Sequence, residues 1–126
     1  MAIAQDKPKR KVTGGRYIRL EKKKVKYLGS LPTHTKMGAL KVKSVRLMGG
    51  SKKSRLLSSD IVNVYDPKTK KYEKLKIETV KENPANSNFI RRNIMTRGAI
   101  VKTSKGNARI TSRPGQEGSI NAILVK

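Results

Sequence analysis

The distribution of positive charge constrains the fold of this sequence more than any other feature. Up to Arg55 the chain carries 17 Lys plus Arg residues and only two acids, and residues 22–24 are all lysine. Like charges at this density repel one another, and the few apolar residues among them offer too little surface to offset chain entropy. We therefore predict that residues 1–38 form an extended basic arm that a polyanion orders. A solvated face of a folded domain is the alternative.

From Ala39 onward the sequence has the pattern of short β-strands. Apolar and polar residues alternate, β-branched residues are frequent, and Gly, Pro, Asn and Asp separate the runs. The predicted strands cover residues 39–47, 60–65, 72–80, 98–103, 108–112 and 119–125. We predict an all-β protein in which a small six-stranded antiparallel barrel, residues 39–126, is preceded by the extended basic N-terminal arm. A sandwich would give the same pattern.

The side chains that catalysis or metal binding needs are missing or isolated. The chain has no Cys, its one histidine, His34, lies in the basic arm, and its eight acids show no pairing suited to metal ions. Residues 49–54, Gly-Gly-Ser-Lys-Lys-Ser, lack the spacing of a nucleotide-binding loop. We therefore expect no enzyme, no metal, no cofactor and no small-molecule substrate.

A membrane partner is not expected either. No apolar run approaches the roughly 18 residues that span a bilayer, and the first residues lack the regions of a signal peptide. The arm has no Trp or Phe and contains helix-breaking Gly and Pro residues, which argues against a basic amphipathic helix lying on lipid. The expected location is the cytoplasm.

A formal net charge of +23 favours a nucleic-acid partner. A net charge of about 2–8 is enough for solubility, whereas each phosphate that Lys or Arg neutralises releases counterions and strengthens binding. Clusters at Lys52-Lys53-Arg55 and Arg91-Arg92 add to the lysines of the arm. Compaction of DNA by charge alone stays open as a second function, because phosphate contacts do not separate DNA from RNA.

The aromatic residues favour recognition of RNA by shape and backbone. Four tyrosines and one phenylalanine are too few for an interleaved stacking platform. Tyr17 and Tyr27 lie in the arm, where each could stack on a base. Tyr65 and Tyr72 flank a predicted hairpin turn and are expected to pack across the strands.

Ordered blocks of the sequence resemble one ribosomal family. Residues 10–16, Arg-Lys-Val-Thr-Gly-Gly-Arg, resemble its R-K-x-T-G-G-R signature. The other similar blocks are residues 64–69, 82–86, 91–94, 97–100 and 108–118. From about Lys9 to the C-terminus the chain resembles the eukaryotic- and archaeal-type family of small-subunit ribosomal protein eight. It lacks the long insertion of the eukaryotic members and is archaeal in size.

The resemblance implies a structural component of the small ribosomal subunit. The family fold is a six-stranded β-barrel with a basic N-terminal extension inserted into ribosomal RNA. The implied partners are small-subunit ribosomal RNA and neighbouring small-subunit proteins, and the implied location is the cytoplasmic ribosome.

Candidate RNA-binding residues come from the basic clusters and the family signature. Gly14 and Gly15 would let the backbone approach RNA closely or adopt a positive φ, although a plain turn is the alternative. Arg10 and Arg16 can bind phosphates bidentately, and Arg113 would present its guanidinium from a Pro-Gly turn. The full set is Lys9, Arg10, Lys11, Thr13, Gly14, Gly15, Arg16, Arg19, Lys22, Lys23, Lys24, Lys26, Lys52, Lys53, Arg55, Arg91, Arg92 and Arg113.

Overall fold

The structure, a computed structural model, describes residues 3–5, 8–18, 22 and 24–125. The chain divides into two compact units, Met1–Pro32 and Thr33–Lys126. In the first unit, strands β1 (Ile3–Ala4) and β2 (Leu28–Gly29) pair antiparallel, and a 3-10 helix spans Val25–Tyr27. None of the described helices is long and apolar enough to cross a lipid bilayer.

The second unit contains seven strands and one helical turn. In chain order these elements are β3 (Lys41–Arg46), β4 (Lys52–Ser58), β5 (Ile61–Asp66), β6 (Lys71–Glu82), α1 (Asn88–Arg91), β7 (Ile100–Thr103), β8 (Gly106–Ile110) and β9 (Asn121–Leu124). Strands β3 and β4 form a separate two-stranded sheet, whereas β5 to β9 close into a barrel in sequence order.

The all-β barrel prediction is confirmed, with two corrections. The barrel has five strands, because the first predicted strand pairs with β4 in a separate sheet. The barrel is not fully antiparallel, since β5 and β9 run parallel. This parallel pair follows from the odd strand number: when neighbours alternate in direction around a ring of five, the first and last strands must point the same way.

The core fills the barrel and follows the alternation of β5, β7, β8 and β9, whereas on β6 a register shift places buried Ile77 and Val80 three residues apart. Val62 and Val64 on β5 point inward, and Ala122 on β9 faces them from the strand that closes the barrel. The buried hydrophobic cluster comprises Leu56, Val62, Val64, Ile77, Val80, Met95, Ala99, Val101, Ala108, Ile110, Ile120 and Ala122. This alternation leaves every second residue of the wall facing outward.

Residues 33–38, which the sequence analysis assigned to the arm, lie in the second unit. Thr35 is buried, and its hydroxyl donates to the carbonyl of Leu56 at 2.6 Å. The Lys36 N–H donates to Leu57 O at 3.0 Å, while Thr35 O accepts from Met95 N at 2.8 Å. This segment therefore joins the end of β4 to the loop before β7.

Candidate nucleic-acid interface

The signature residues of the first unit form a short hairpin, residues 9–17, called here the N-terminal hairpin. Arg10 and Arg16 face each other as antiparallel partners. The N–H of Lys11 donates to Gly15 O at 2.8 Å, and the N–H of Gly14 donates to Lys11 O at 3.0 Å. Gly14 has φ +83°, which completes the three-residue hairpin loop whose last residue is left-handed.

The N-terminal hairpin presents its cations to solvent. All residues from 8 to 18 are exposed. The Arg10 guanidinium donates to Gly14 O at 2.9 Å, a bond that fixes the side chain and uses one of its five donors. The Lys11 ammonium lies 5.6 Å from the centre of the Tyr17 ring. Seven sequence-predicted residues, Lys9, Arg10, Lys11, Thr13, Gly14, Gly15 and Arg16, are thus brought together.

The lysines that follow are only partly described. Lys22, Lys24 and Lys26 are exposed, and the Lys26 ammonium lies 4.9 Å from the centre of the Tyr27 ring. Arg19 and Lys23, which the sequence analysis also selected, lie outside the described residues.

Strands β3 and β4 form a second cationic element, residues 41–58, called here the basic ribbon. Its cations are Lys41, Lys43, Arg46, Lys52, Lys53 and Arg55, and the segment contains no acid. The register places Lys43 opposite Arg55 and Arg46 opposite Lys52. Like charges directly opposite each other destabilise a sheet, and a two-stranded sheet is marginal in water. The ribbon therefore concentrates charge at a cost to its own stability.

The ribbon ends in a glycine turn. The Leu47 N–H donates to Ser51 O at 2.7 Å, and Gly49 and Gly50 have φ +86° and +87°. Both values lie in the left-handed region, where other residues are strained. Met48 is 81% exposed at this tip.

Sequence reasoning found Lys52, Lys53 and Arg55 but missed the ribbon cations of β3. The local signal covers only one strand: apolar residues between Leu40 and Leu47 recur near period two before the turn-forming Gly49-Gly50, whereas residues 52–58 do not alternate. With β3 and β4 paired, Lys41, Lys43 and Arg46 join the candidate set.

Arg113 lies beside the ribbon. Its carbonyl accepts from the N–H groups of Gln116 and Glu117 at 2.8 and 3.0 Å, which closes the turn that the Pro114-Gly115 pair predicts. The same turn binds β4, since Pro114 O accepts from Leu56 N at 3.0 Å and the Lys53 ammonium donates to the Gln116 side chain. These bonds place the turn that carries Arg113 next to the cationic strand β4.

Arg91 and Arg92 are positioned separately, at the end of α1. Both are exposed, and the next residue, Asn93, has φ +47°. Helix α1 packs against β6. Among the described residues no group of three or more acids and histidines could hold a metal ion. The chemistry that this arrangement supports is therefore multipoint binding of phosphates by exposed cations.

Comparison with known proteins identifies a family over nearly the whole chain. The profile of the family described as ribosomal protein S8e matches residues 4–125. A relative from Methanocella arvoryzae, named small ribosomal subunit protein eS8, is 53% identical over 96% of this chain and 97% of its own length. A relative of the same name from Picrophilus torridus is 46% identical over 99% of this chain and its entire length.

The resemblance inferred from the ordered sequence blocks is therefore confirmed, including the archaeal size. A third relative with that name, from Methanocorpusculum labreanum, is 49% identical over 97% of this chain. With the family profile spanning both the N-terminal hairpin and the barrel, the chain belongs to the ribosomal protein S8e family.

Proposed function

We propose that this chain is a structural constituent of the small ribosomal subunit that binds and stabilises folded small-subunit ribosomal RNA. Because the chain belongs to a ribosomal protein family, it is a structural protein rather than an enzyme. Its location is the cytoplasmic ribosome. Its relatives are named small ribosomal subunit proteins. Its partners would be that RNA and neighbouring subunit proteins.

The basic ribbon is the observation that carries the RNA-binding part of the proposal. Arg46 and Lys52, both exposed, lie opposite each other and repel in the free protein, and Lys43 opposite Arg55 is a second pair of facing cations. Phosphates placed between such pairs would replace repulsion with attraction and release counterions. The ribbon thus has the charge arrangement of a surface that is completed by a polyanion.

The N-terminal hairpin would supply a second set of contacts. We propose that the part of the predicted arm that lies in the first unit, residues 1–32, acts as the RNA-penetrating arm, with the exposed Arg10 and Arg16 on adjacent hairpin strands bridging phosphates. The space around Gly15 is open. Among the described residues beyond its chain neighbours, a Cβ there would meet the Thr13 hydroxyl alone, at 3.7 Å. The missing side chain would let an RNA backbone approach closely.

A competition experiment tests the proposal. The full chain is titrated onto labelled small-subunit ribosomal RNA at several salt concentrations, with unrelated structured RNA and duplex DNA as competitors. We expect a preference for the ribosomal RNA that survives at high salt, because shape-specific contacts lose less affinity than charge alone. Equal competition by DNA at every salt concentration would overturn the proposal and favour general nucleic-acid compaction.

A matched pair of variants assigns the contacts to the ribbon. The triple change Lys43→Gln, Arg46→Gln and Lys52→Gln removes three exposed ribbon cations, while Lys68→Gln, Lys70→Gln and Lys81→Gln remove three exposed cations elsewhere. The ribbon triple should lower the slope of log affinity against log salt by roughly two to three. The control triple should change that slope much less.

A further inference from the structure

The outer wall of the barrel carries two parallel rows of side chains that lie outside the N-terminal hairpin and the basic ribbon. The register aligns residues from four adjacent strands, β6, β5, β9 and β8. The first row consists of Tyr72, Tyr65, Ile123 and Arg109. The second row, one pleat further along, consists of Lys74, Asn63, Asn121 and the neighbouring Thr111. Three interstrand spacings separate the ends of a row, roughly 14 Å.

The first row is aromatic and apolar, with one ring largely open to solvent. Tyr65 and Tyr72 pack with ring centroids 4.9 Å apart and an interplanar angle of 41°. Tyr72 nevertheless remains 76% exposed, and Ile123 beyond Tyr65 is 40% exposed. The predicted cross-strand packing is therefore present, yet it leaves a bare ring surface.

The second row is polar and only partly satisfied by its internal bond. The Asn63 amide donates to the Asn121 side-chain oxygen at 3.1 Å. This bond leaves the Asn63 oxygen as an acceptor and the Asn121 NH₂ as a donor on the outer surface. Such a donor and acceptor, side by side, complement the hydrogen-bonding edge of a nucleobase.

The surroundings are cationic. The rows border an open groove of about 560 Å³ that Lys74 and Glu73 help to line, and Arg109 ends the aromatic row. The Glu73 carboxylate forms an ion pair with Lys105, which offsets the negative charge that lines the groove. A ring, an amide pair and flanking cations match the base and phosphate of a single nucleotide.

We propose that this surface is a nucleobase-stacking site for an unpaired nucleotide of the bound RNA. The base stacks on Tyr72, its edge faces Asn63 and Asn121, and Lys74 contacts the adjoining phosphate. The proposal rests on the proposed RNA-binding function and adds recognition of a base to the phosphate contacts of the ribbon. Stacking on an aromatic side chain is tolerant of sequence, so the site reads an unstacked nucleotide rather than a particular base.

The test compares a base-bearing probe with a base-free one. Hexauridylate and an abasic hexamer of ribose phosphate are titrated into the full chain carrying ¹³C-labelled tyrosine rings. We expect hexauridylate to shift the Tyr72 ring resonance and the abasic probe to leave it unchanged. Shifts confined to the Tyr17 or Tyr27 resonances would overturn the proposal.

Matched variants separate stacking from charge. Tyr72→Leu should weaken hexauridylate binding at least fivefold and leave abasic binding unchanged, whereas Tyr72→Phe should bind like the unaltered protein. Lys74→Gln should weaken both probes. Because Tyr72 is largely exposed, these changes should not disturb the fold, which thermal unfolding checks.

The outcomes also distinguish this site from the proposed function. If Tyr72→Leu binds both probes normally while ribosomal RNA is still preferred over DNA, the stacking site is wrong and the function stands. If Tyr72 in assembled subunits cross-links to a protein and not to a nucleotide, the site is a protein contact and the proposal is overturned.

Discussion

Gly14 and Gly15 are adjacent, but they differ in whether the protein tolerates a side chain at their position. Gly14 has φ +83°, so an L side chain there is strained whatever the space around it. At Gly15 an added Cβ would meet Thr13 Oγ1 at 3.7 Å, an ordinary contact, and no other described residue beyond its chain neighbours within 4 Å. The hairpin therefore needs a residue that tolerates the left-handed region at position 14, whereas at position 15 the protein itself accepts alanine.

Replacing Gly14 tests the turn. Gly14→Ala should destabilise the hairpin by about 1–2 kcal/mol and weaken RNA binding, because alanine resists the left-handed conformation. Gly14→Asn should retain most of the affinity, since asparagine tolerates that region. Binding to small-subunit ribosomal RNA measures both changes, and equal loss by the two variants would contradict the account.

Replacing Gly15 tests close approach of the RNA. Gly15→Ala should leave the thermal midpoint of the protein unchanged and still reduce incorporation into reconstituted small subunits. The expected reason is a steric conflict between the added methyl group and an RNA backbone. Normal incorporation of Gly15→Ala would mean that the second glycine serves no contact.

Asn83 is a buried polar residue whose side chain forms three hydrogen bonds. It is 6% exposed; its amide donates to Ile94 O at 3.1 Å, and its oxygen accepts from Ala85 N and the Thr96 hydroxyl. Asn83→Ala should lower the free energy of unfolding by roughly 2–3 kcal/mol, because buried partners lose their bonds. Chemical denaturation measures this. The side-chain oxygen of exposed Asn86 accepts from Asn88 N at 2.9 Å, and Asn86→Ala, the control, should cost less than about 1 kcal/mol.

At the scale of the element, the facing cations of the basic ribbon lower the stability of the free protein and favour its binding to RNA. Arg46→Glu would place opposite charges across the strands, since Lys52 is its partner. The free protein should gain about 0.2–1 kcal/mol, measured by thermal unfolding, while its affinity for ribosomal RNA should fall. Lys81→Glu is the control, with the same charge change on an exposed residue of β6 outside the ribbon. Arg46→Glu must weaken binding more than this control does, or the ribbon is not the interface.

The hairpin joining β5 to β6 contains a carboxyl, Asp66, whose pKa is displaced from its usual value. The Lys68 N–H donates to one Asp66 oxygen at 2.9 Å and the Thr69 hydroxyl to the other at 3.0 Å. The Lys68 backbone bond, followed by the Thr69 bonds, holds the pKa of Asp66 below its usual value. Folding therefore favours the ionised form.

The sign of this shift gives a pH dependence. A carboxyl whose pKa is lowered in the folded state stabilises the protein when the pH is above the usual, unfolded-state pKa. This contribution is lost as the pH falls through the folded-state pKa. Carbon-13 titration of Asp66 should show Thr69→Val raising the pKa toward normal. Asp66→Asn should flatten the fall of the thermal midpoint below about pH 4. An unshifted Asp66 titration would contradict the turn geometry.

In the second unit, sequence patterns predicted six of the described strands and missed β4, and in the first unit they missed β1, β2 and the 3-10 helix. The strand from residue 60 and its partner from residue 72 follow from alternation and the Asp66-Pro67 turn, which are local signals. Strand β4 escapes sequence patterns because Lys52, Lys53 and Arg55 form a charge cluster without alternation. The strand is stabilised by its backbone pairing with β3 and by the Lys53 contact with the Arg113 turn, and no local pattern contains that information.

At the scale of the whole molecule, the class of fold was predictable and its closure was not. Alternation marks which residues enter the core, as it does for Val62 and Val64. Which strand closes a barrel depends on pairing between β5 and β9, about 60 residues apart in sequence. The candidate site, too, could be predicted only in part. The cationic clusters can be recognised in the sequence, whereas the pairing of Lys43 with Arg55 requires the strand register.

The measurement that tests the central claim most directly is ultraviolet cross-linking of the full chain within reconstituted small subunits. Mass spectrometry then identifies the peptides that carry nucleotides. We expect cross-links from the N-terminal hairpin, residues 9–17, and from the basic ribbon, residues 41–58. Subunits that contain the protein but yield no nucleotide on either segment would contradict the account, because other contacts would then hold the protein in the particle.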